Sequence, residues 1–284
     1  MSLSILTNIS AMNTQQNLLK SSNAVSQSMS RLSSGLRINT AADDAAGYAI
    51  SQGLTSQVNG LNQASSNTND AISMVQTASS SLNDVQNMLQ RVYELGVQYN
   101  NGSNSSTDKT DIQAEVDQLT QEIDRQRTAS NFNGLNLLKG TAGSGGTVTF
   151  QVGANAGDTL TATFSDIEGS SGLGGLGFSW SSASTGGTVI DLSNANALTS
   201  LTSAIDNISS MAATLGAVQN RLQYTSDSIS STEQNLSASN SQIKDVNMAQ
   251  EMTNMTQQQI LEQAGASMLA QANSQPQLIL KLLG

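Results

Sequence analysis

The sequence predicts a mainly α protein: a long antiparallel coiled-coil or helical-bundle rod carrying a small β-hairpin region. Three observations lead there. Leu201, Ile208, Leu215, Leu222, Ile229, Leu236 and Ile243 recur every seven residues. A companion row, Leu198, Ile205, Ala212, Gln219, Ser226, Glu233 and Asn240, makes the spacing alternate between three and four, which keeps one seam facing a partner helix. A second pair of rows lies upstream, with Leu54, Leu61, Thr68, Val75, Leu82 and Leu89 as the strong row and Val58, Ser65, Ile72, Ser79, Gln86 and Tyr93 beside it. The two long segments are expected to pair within one molecule. Finally, both chain ends read as amphipathic helices.

In chain order, Ile5, Ile9 and Met12 give a first apolar face, which Leu18, Val25, Met29, Leu32 and Leu36 continue. The upstream heptads then run to a breaker-rich turn at Asn100-Asn101-Gly102-Ser103-Asn104. Ile112, Val116, Leu119 and Ile123 mark a shorter amphipathic helix between Asp111 and Arg127. From 140 to 194 Gly, Ser and Thr dominate, and Thr147–Val152 alternates like Thr159–Phe164 across Gly153–Asp158, which reads as a hairpin. Phe132, Phe150, Phe164, Phe178 and Trp180 lie in or beside this region and are expected to form one small aromatic core. The downstream heptads contain no proline and only Gly216, so nothing breaks a helix of roughly 68 Å at 1.5 Å per residue. Met248, Met252 and Met255, then Ile260, Ala264 and Met268, then Leu278 and Leu282 mirror the amino-terminal pattern.

Composition points to assembly. Of 284 residues, 37% are hydrophobic and 3% aromatic, too few for large globular cores. Charged residues make up 11%, well below the usual quarter, and Ser, Asn, Gln and Thr occupy the outer helix positions. Such faces can be buried against other copies without stripping water from charges. A net charge of −10 with no basic patch argues against nucleic acid and anionic membranes. The chain shows no apolar run long enough for a membrane span, and its first residues lack the basic and apolar regions of a secretory signal. With no cysteine, disulfides and thiolate metal sites are excluded.

Catalytic chemistry is mostly absent too. No histidine is present, which removes the common triads and His-ligated zinc. Asp43-Asp44 and the pair Glu122 and Asp124 are the available carboxylates, and solvated or ion-paired surface acids describe them better than general acids or bases. Gly172-Leu173-Gly174-Gly175-Leu176-Gly177 has the spacing of a dinucleotide fingerprint, but no helix follows to receive a pyrophosphate. No catalytic, cofactor-binding or metal site is expected.

The segment Met29-Ser30-Arg31-Leu32-Ser33-Ser34-Gly35-Leu36-Arg37-Ile38-Asn39, continuing to Asp43-Asp44-Ala45-Ala46-Gly47, resembles the amino-terminal signature of bacterial flagellins. Gln259-Ile260-Leu261-Glu262-Gln263-Ala264-Gly265, continuing through Met268 to Asn273, with Pro276 and Leu282-Leu283 beyond, is similar to their carboxy-terminal signature. The resemblance covers about 1–140 and 195–284, and Phe150–Asn155 resembles the family's inner hairpin. It is that of a short form without the large variable outer region.

The resemblance implies a discontinuous inner domain from 1–42 and 243–284, and a rod from 43–242 with the hairpin region at about 140–194. Leu18, Val25, Met29, Leu32, Ile260, Ala264 and Met268 would pack the inner domain. Leu61, Val75, Leu82 and Leu89 would meet the seven-residue row of the downstream helix. The implied role is a structural subunit of the extracellular flagellar filament, exported without a cleaved signal and ordering its ends on assembly. Implied partners are other copies, a distal cap, hook-junction proteins, an export chaperone and the flagellin-sensing Toll-like receptor. For that receptor, Gln90–Gln98 resembles the recognised segment, with Arg91, Leu95 and Glu115 at matching contact positions and departures at Tyr93 and Gly96. Arg31, Arg37, Asp43 and Asp44 are expected to pair within or between subunits. Two other readings are a hook-filament junction protein, sharing the terminal helices, and a relative with a metalloprotease insert, for which no His-Glu-x-x-His motif exists.

Overall fold

A computed structural model describes residues 7–168 and 190–283, with side chains described through 275. Five helices dominate the described residues: α1 (Ile9–Ser34), α2 (Ala45–Tyr99), α3 (Ser106–Ala129), α4 (Ala197–Lys244) and α5 (Met248–Leu283). Two antiparallel pairs of strands accompany them, β1 (Asn131–Phe132) with β2 (Leu135–Asn136), and β3 (Thr147–Gln151) with β4 (Thr159–Thr163). The mainly helical reading with a small hairpin region agrees with this. The chain divides into two compact units, Met1–Gln57 with Gln234–Gly284, and Val58–Glu233. Ile5, Phe178, Trp180 and the Gly172–Gly177 motif lie outside the described residues, as do the side chains of Pro276, Leu278, Leu282 and Leu283.

In the unit Val58–Glu233, α2, α3 and α4 share one aliphatic core. From the strong rows, Leu61, Val75, Leu82 and Leu89 on α2 and Leu201, Ile208, Leu215, Leu222 and Ile229 on α4 are buried, and Leu54 is half-buried. Gln86 donates to Ser209 at 3.0 Å, while a Cβ on Gly96 would lie 2.8 Å from Leu198, so numbers rise along one helix as they fall along the other. The helices are antiparallel. The companion rows, however, are not those expected from sequence. Ala64, Ala71, Ala78, Val85 and Val92 are the buried companions on α2, and Ala197, Ala204 and Val218 on α4. Val58, Ile72, Ile205 and Ala212 are only half-buried. Alanine fills the seam because its small volume lets two backbones approach, and side-chain size alone points to the wrong register.

Helix α3 begins five residues earlier than its apolar positions suggest, at a capping box. Ser105 Oγ accepts from Asp108 N at 3.2 Å, and Asp108 accepts from Ser105 N at 2.8 Å. That backbone N–H holds the Asp108 carboxyl below the usual carboxylate range. Its contribution is therefore present at neutral pH and lost as pH falls through the depressed native value. Ile112, Val116 and Ile123 are buried with Thr120, and Leu119 packs at the edge.

The hairpin register, Thr147↔Thr163 through Gln151↔Thr159, turns Leu160 and Ala162 inward. Phe178 and Trp180 of the expected aromatic core lie outside the described residues, and among the described ones aliphatic groups dominate. Phe164 is fully buried, Phe132 and Phe150 lie at the margin, and Leu137, Leu138, Ile167, Ile190 and Leu192 fill the rest. The segment after β4 is held by Arg127, which reaches Glu168 at 2.7 Å and Asp124 at 2.9 Å. Gly146 makes the entry to β3 possible, with φ +86° and its carbonyl accepting from Phe164 N at 2.6 Å. A Cβ there would stand 2.7 Å from the Phe164 carbonyl oxygen. Gly146→Ala is expected to cost about 1–3 kcal/mol, read as a lower urea midpoint of the full chain. An unchanged midpoint would refute this account of the turn.

In the other unit, α1 and α5 pair. Asn8 Nδ2 donates to the Ala272 carbonyl at 2.8 Å, and a Cβ on Gly265 would lie 3.3 Å from Leu18, so this pair is antiparallel as well. Gly35 caps α1 at φ +72°, its N–H donating to Arg31 O at 2.9 Å. The chain after it lies along the end of α4, with Arg37 N donating to Lys244 O at 2.6 Å and Val246 N to Gly35 O at 3.0 Å. Within one chain the charges of this segment do not pair with one another. Arg37 donates to the Ile243 carbonyl, Asp43 accepts from Thr40 and Asn39, and Asp44 accepts from Gly47 N. Short acidic side chains are satisfied by nearby backbone N–H groups more cheaply than by ordering a distant arginine. Arg31 instead faces Glu251 across the pair at 3.9 Å.

Candidate assembly surface and a charged patch on the second unit

The α1–α5 pair presents its apolar side chains in an unusual direction. On α1, Leu18, Val25 and Leu32 are half-buried toward α5, flanked by Ser21 and Ser28. On α5, the positions covered by α1 are Glu251, Met255, Gln258, Glu262, Gly265, Leu269 and Ala272, mostly polar or small. Ile260, Ala264 and Met268 are exposed instead, Ile260 at 60% and Met268 at 61%, and so is Met29 at 56%. These four were expected to pack the inner domain, and within the single chain they do not. The reason lies in register: the covered row of α5 alternates by three and four from Glu251, which leaves Ile260, Ala264 and Met268 on the side of the helix turned away from α1.

The outward face is extensive. Ile9, Met12, Leu19, Met29 and Ile50 are exposed from the amino-terminal part, and Met248, Met252, Ile260, Leu261 and Met268 from α5. Thr253, Thr256, Gln257, Ile260 and Leu261 line a shallow hollow on α5. The unit Val58–Glu233 exposes far fewer large apolar groups among its described residues, namely Tyr93, Val97, Leu135 and Tyr224. Exposed apolar surface concentrated on one unit marks an interaction surface. The downstream end of the heptad row, Leu236 and Ile243, is half-buried in the same unit. Met12, Met248 and Met252, apolar positions of the two terminal helices in the sequence, are surface groups here, because an apolar row on one helix does not say what covers it.

Arg91 and Glu115 meet across α2 and α3 with Nη2 to Oε1 at 2.8 Å, and Glu94 lies 3.3 Å from Arg91. The hydrogen bonds that Arg91 donates to Glu115 first, then to Glu94, raise its pKa. Both partners are about half exposed, so this patch faces solvent. Leu95 is not part of it. At 1% exposure it belongs to the core, three residues beyond buried Val92, because its isobutyl group gains more there than in water. Gly96 lets Leu198 and Leu192 approach α2 closely.

Among the described residues, no acidic, histidine or cysteine cluster could hold a metal ion, and no helix is long and apolar enough to cross a membrane.

A family model described as the bacterial flagellin N-terminal helical region matches residues 5–143, and one described as the bacterial flagellin C-terminal helical region matches 198–283. The flagellin of Halalkalibacterium halodurans is 40% identical over 97% of this chain and 98% of its own. A flagellar filament 33 kDa core protein of Treponema phagedenis is 42% identical with the same coverage. Among solved structures, a Bacillus cereus flagellin aligns with 30% identity over 62% of this chain and 94% of its own at a TM-score of 0.46. A Vibrio parahaemolyticus structure assigned to a flagellar hook-associated protein, 15% identical, covers 72% of this chain and 100% of its own at 0.52, a likeness of fold. With both terminal regions matched in order and full-length relatives near 40% identity, the chain belongs to the bacterial flagellins and is a structural subunit of the extracellular flagellar filament.

Proposed function

We propose that the outward apolar face of the α1–α5 pair is the surface through which subunits add to the filament. One observation carries this reading: Met248, Met252, Ile260, Leu261 and Met268 of α5 are exposed, while the row that α1 covers holds only Met255 and Leu269 as large apolar groups among Glu251, Gln258, Glu262, Gly265 and Ala272. A helix pair so arranged recovers little burial to offset its ordering entropy. Neighbouring copies supply the missing burial, through a heterologous contact that propagates rather than closes. In this reading 1–42 and 243–284 order together on assembly. Seeded growth of concentrated protein, followed by negative-stain electron microscopy, is expected to give long uniform fibres. Amorphous material alone would refute the reading.

Further partners follow from family membership. A distal cap and hook-junction proteins would meet the same terminal helices, and an export chaperone would cover α5 before release, with export proceeding without a cleaved signal. The Arg91–Glu115 patch supports recognition by the flagellin-sensing Toll-like receptor, since the pair is exposed and preformed. Leu95 would act only by holding the α2 backbone in place. Arg91→Ala is expected to reduce reporter-cell signalling by soluble protein about tenfold, the loss of a hydrogen-bonded charge at an interface. Its thermal stability should stay within about 0.5 kcal/mol, because an exposed pair contributes little to folding. Full signalling by the variant would refute that assignment.

A further inference from the structure

The methionines divide between the two units unevenly and in an informative way. Met12, Met29, Met248, Met252 and Met268 stand exposed on the α1–α5 unit, where only Met255 is half-buried among the described residues, whereas Met74 is buried and Met88 and Met211 are half-buried in the other. The chain has no cysteine, so no thiol competes for an oxidant and methionine is the only oxidisable sulfur. We propose that these five exposed methionines form an oxidation site, at which a peroxide-class oxygen donor makes the solitary subunit unable to join the filament. The proposal rests on the reading that a second copy covers this face.

The step balances simply. A thioether lone pair attacks one oxygen of hydrogen peroxide, the O–O bond breaks, and the other oxygen leaves as water once it gains a proton. Sulfur is oxidised by two electrons to the sulfoxide and the peroxide is reduced. The product is a polar, strongly accepting group on a side chain that was apolar. On the free subunit water satisfies the new acceptor, so the fold bears little cost. Against a neighbouring copy that water is removed and the acceptor is left unpaired, so the penalty falls on addition of the subunit. The growing polymer therefore selects against damaged subunits, and subunits already inside it are shielded.

The test compares full-length solitary protein and preformed filaments, each treated with hydrogen peroxide and mapped by peptide mass spectrometry. In the solitary chain the five exposed methionines should gain oxygen before Met74, and in filaments their oxidation should be about tenfold slower. Oxidised subunits should elongate seeds at least about tenfold more slowly than untreated ones while keeping their circular dichroism. Methionine sulfoxide reductases of both epimer classes should restore growth. The variant M74L/M88L/M211L, changed only in the other unit, should lose growth on peroxide treatment as the parent does. Normal elongation by oxidised subunits, no recovery once the sulfurs are reduced, or equal oxidation in filaments would each overturn the proposal. Failure of untreated protein to elongate would instead overturn the assembly reading beneath it.

Discussion

Leu222→Asp is expected to unfold the α2–α3–α4 unit at neutral pH. Leu222 lies in the middle of the α4 row and is completely buried, with Leu215 one heptad before it and Ile229 one after. The substitution removes a leucine from a packed seam, which costs about 2–5 kcal/mol by itself. It also places a carboxylate at a fully buried position, adding several kcal/mol whether the group stays charged or takes up a proton. A domain of this size holds only about 5–15 kcal/mol of stability, so the sum is comparable to the whole. The same change two residues on, Tyr224→Asp, meets a side chain that is 76% exposed and should shift stability by less than about 0.5 kcal/mol. Circular dichroism against temperature on the two variants separates the cases. If Leu222→Asp melts with the parent, the seam assigned to α4 is wrong.

The heptads disclosed more of the helices than of their facing. Helix α4 runs Ala197–Lys244, almost the span drawn from its seven-residue row, because proline-free heptads over that length leave a chain few alternatives. Hairpin strands were equally readable, since strict alternation on both sides of a Gly- and Asp-bearing loop admits one pairing. What sequence could not decide was which of two companion rows enters the seam. Ala71 and Ile72 are neighbours, and hydrophobicity favours isoleucine, yet the close approach of α2 to its partners buries alanine completely and leaves isoleucine at the margin. That choice is made by interhelical distance, a property of two helices together that neither segment carries alone.

The candidate surface was legible in its residues and not in its direction. Ile260, Ala264 and Met268 stood out as an apolar row, and a row on one helix says only that something covers it. Arg91 and Glu115 lie far apart in sequence, and only the packing of α3 on α2 brings them to 2.8 Å. Leu95 was drawn into the same patch by resemblance, although its spacing from Leu89 and Val92 already placed it on the buried face.

Ile260→Asp is expected to do the reverse of Leu222→Asp: to leave the solitary chain as it is and to stop filament growth. Ile260 is 60% exposed and lies on the side of α5 opposite the row that α1 covers. A carboxylate there remains in water, so helix content and thermal unfolding of the free subunit should match the parent within about 0.5 kcal/mol. On assembly the parent gains the burial of an isoleucine side chain, about 1.5–3 kcal/mol. The variant forfeits that gain and must desolvate a charge, at a further cost of a few kcal/mol. Together these raise the concentration needed for seeded growth by roughly a hundredfold or more, at 1.4 kcal/mol per factor of ten. The pair of results is what gives the experiment its force, because a residue that mattered to the fold would alter both readouts and a residue that mattered to neither would alter none. Growth at the parent's concentration would mean that neighbouring subunits do not cover this part of α5, and that the apolar row there awaits some other partner.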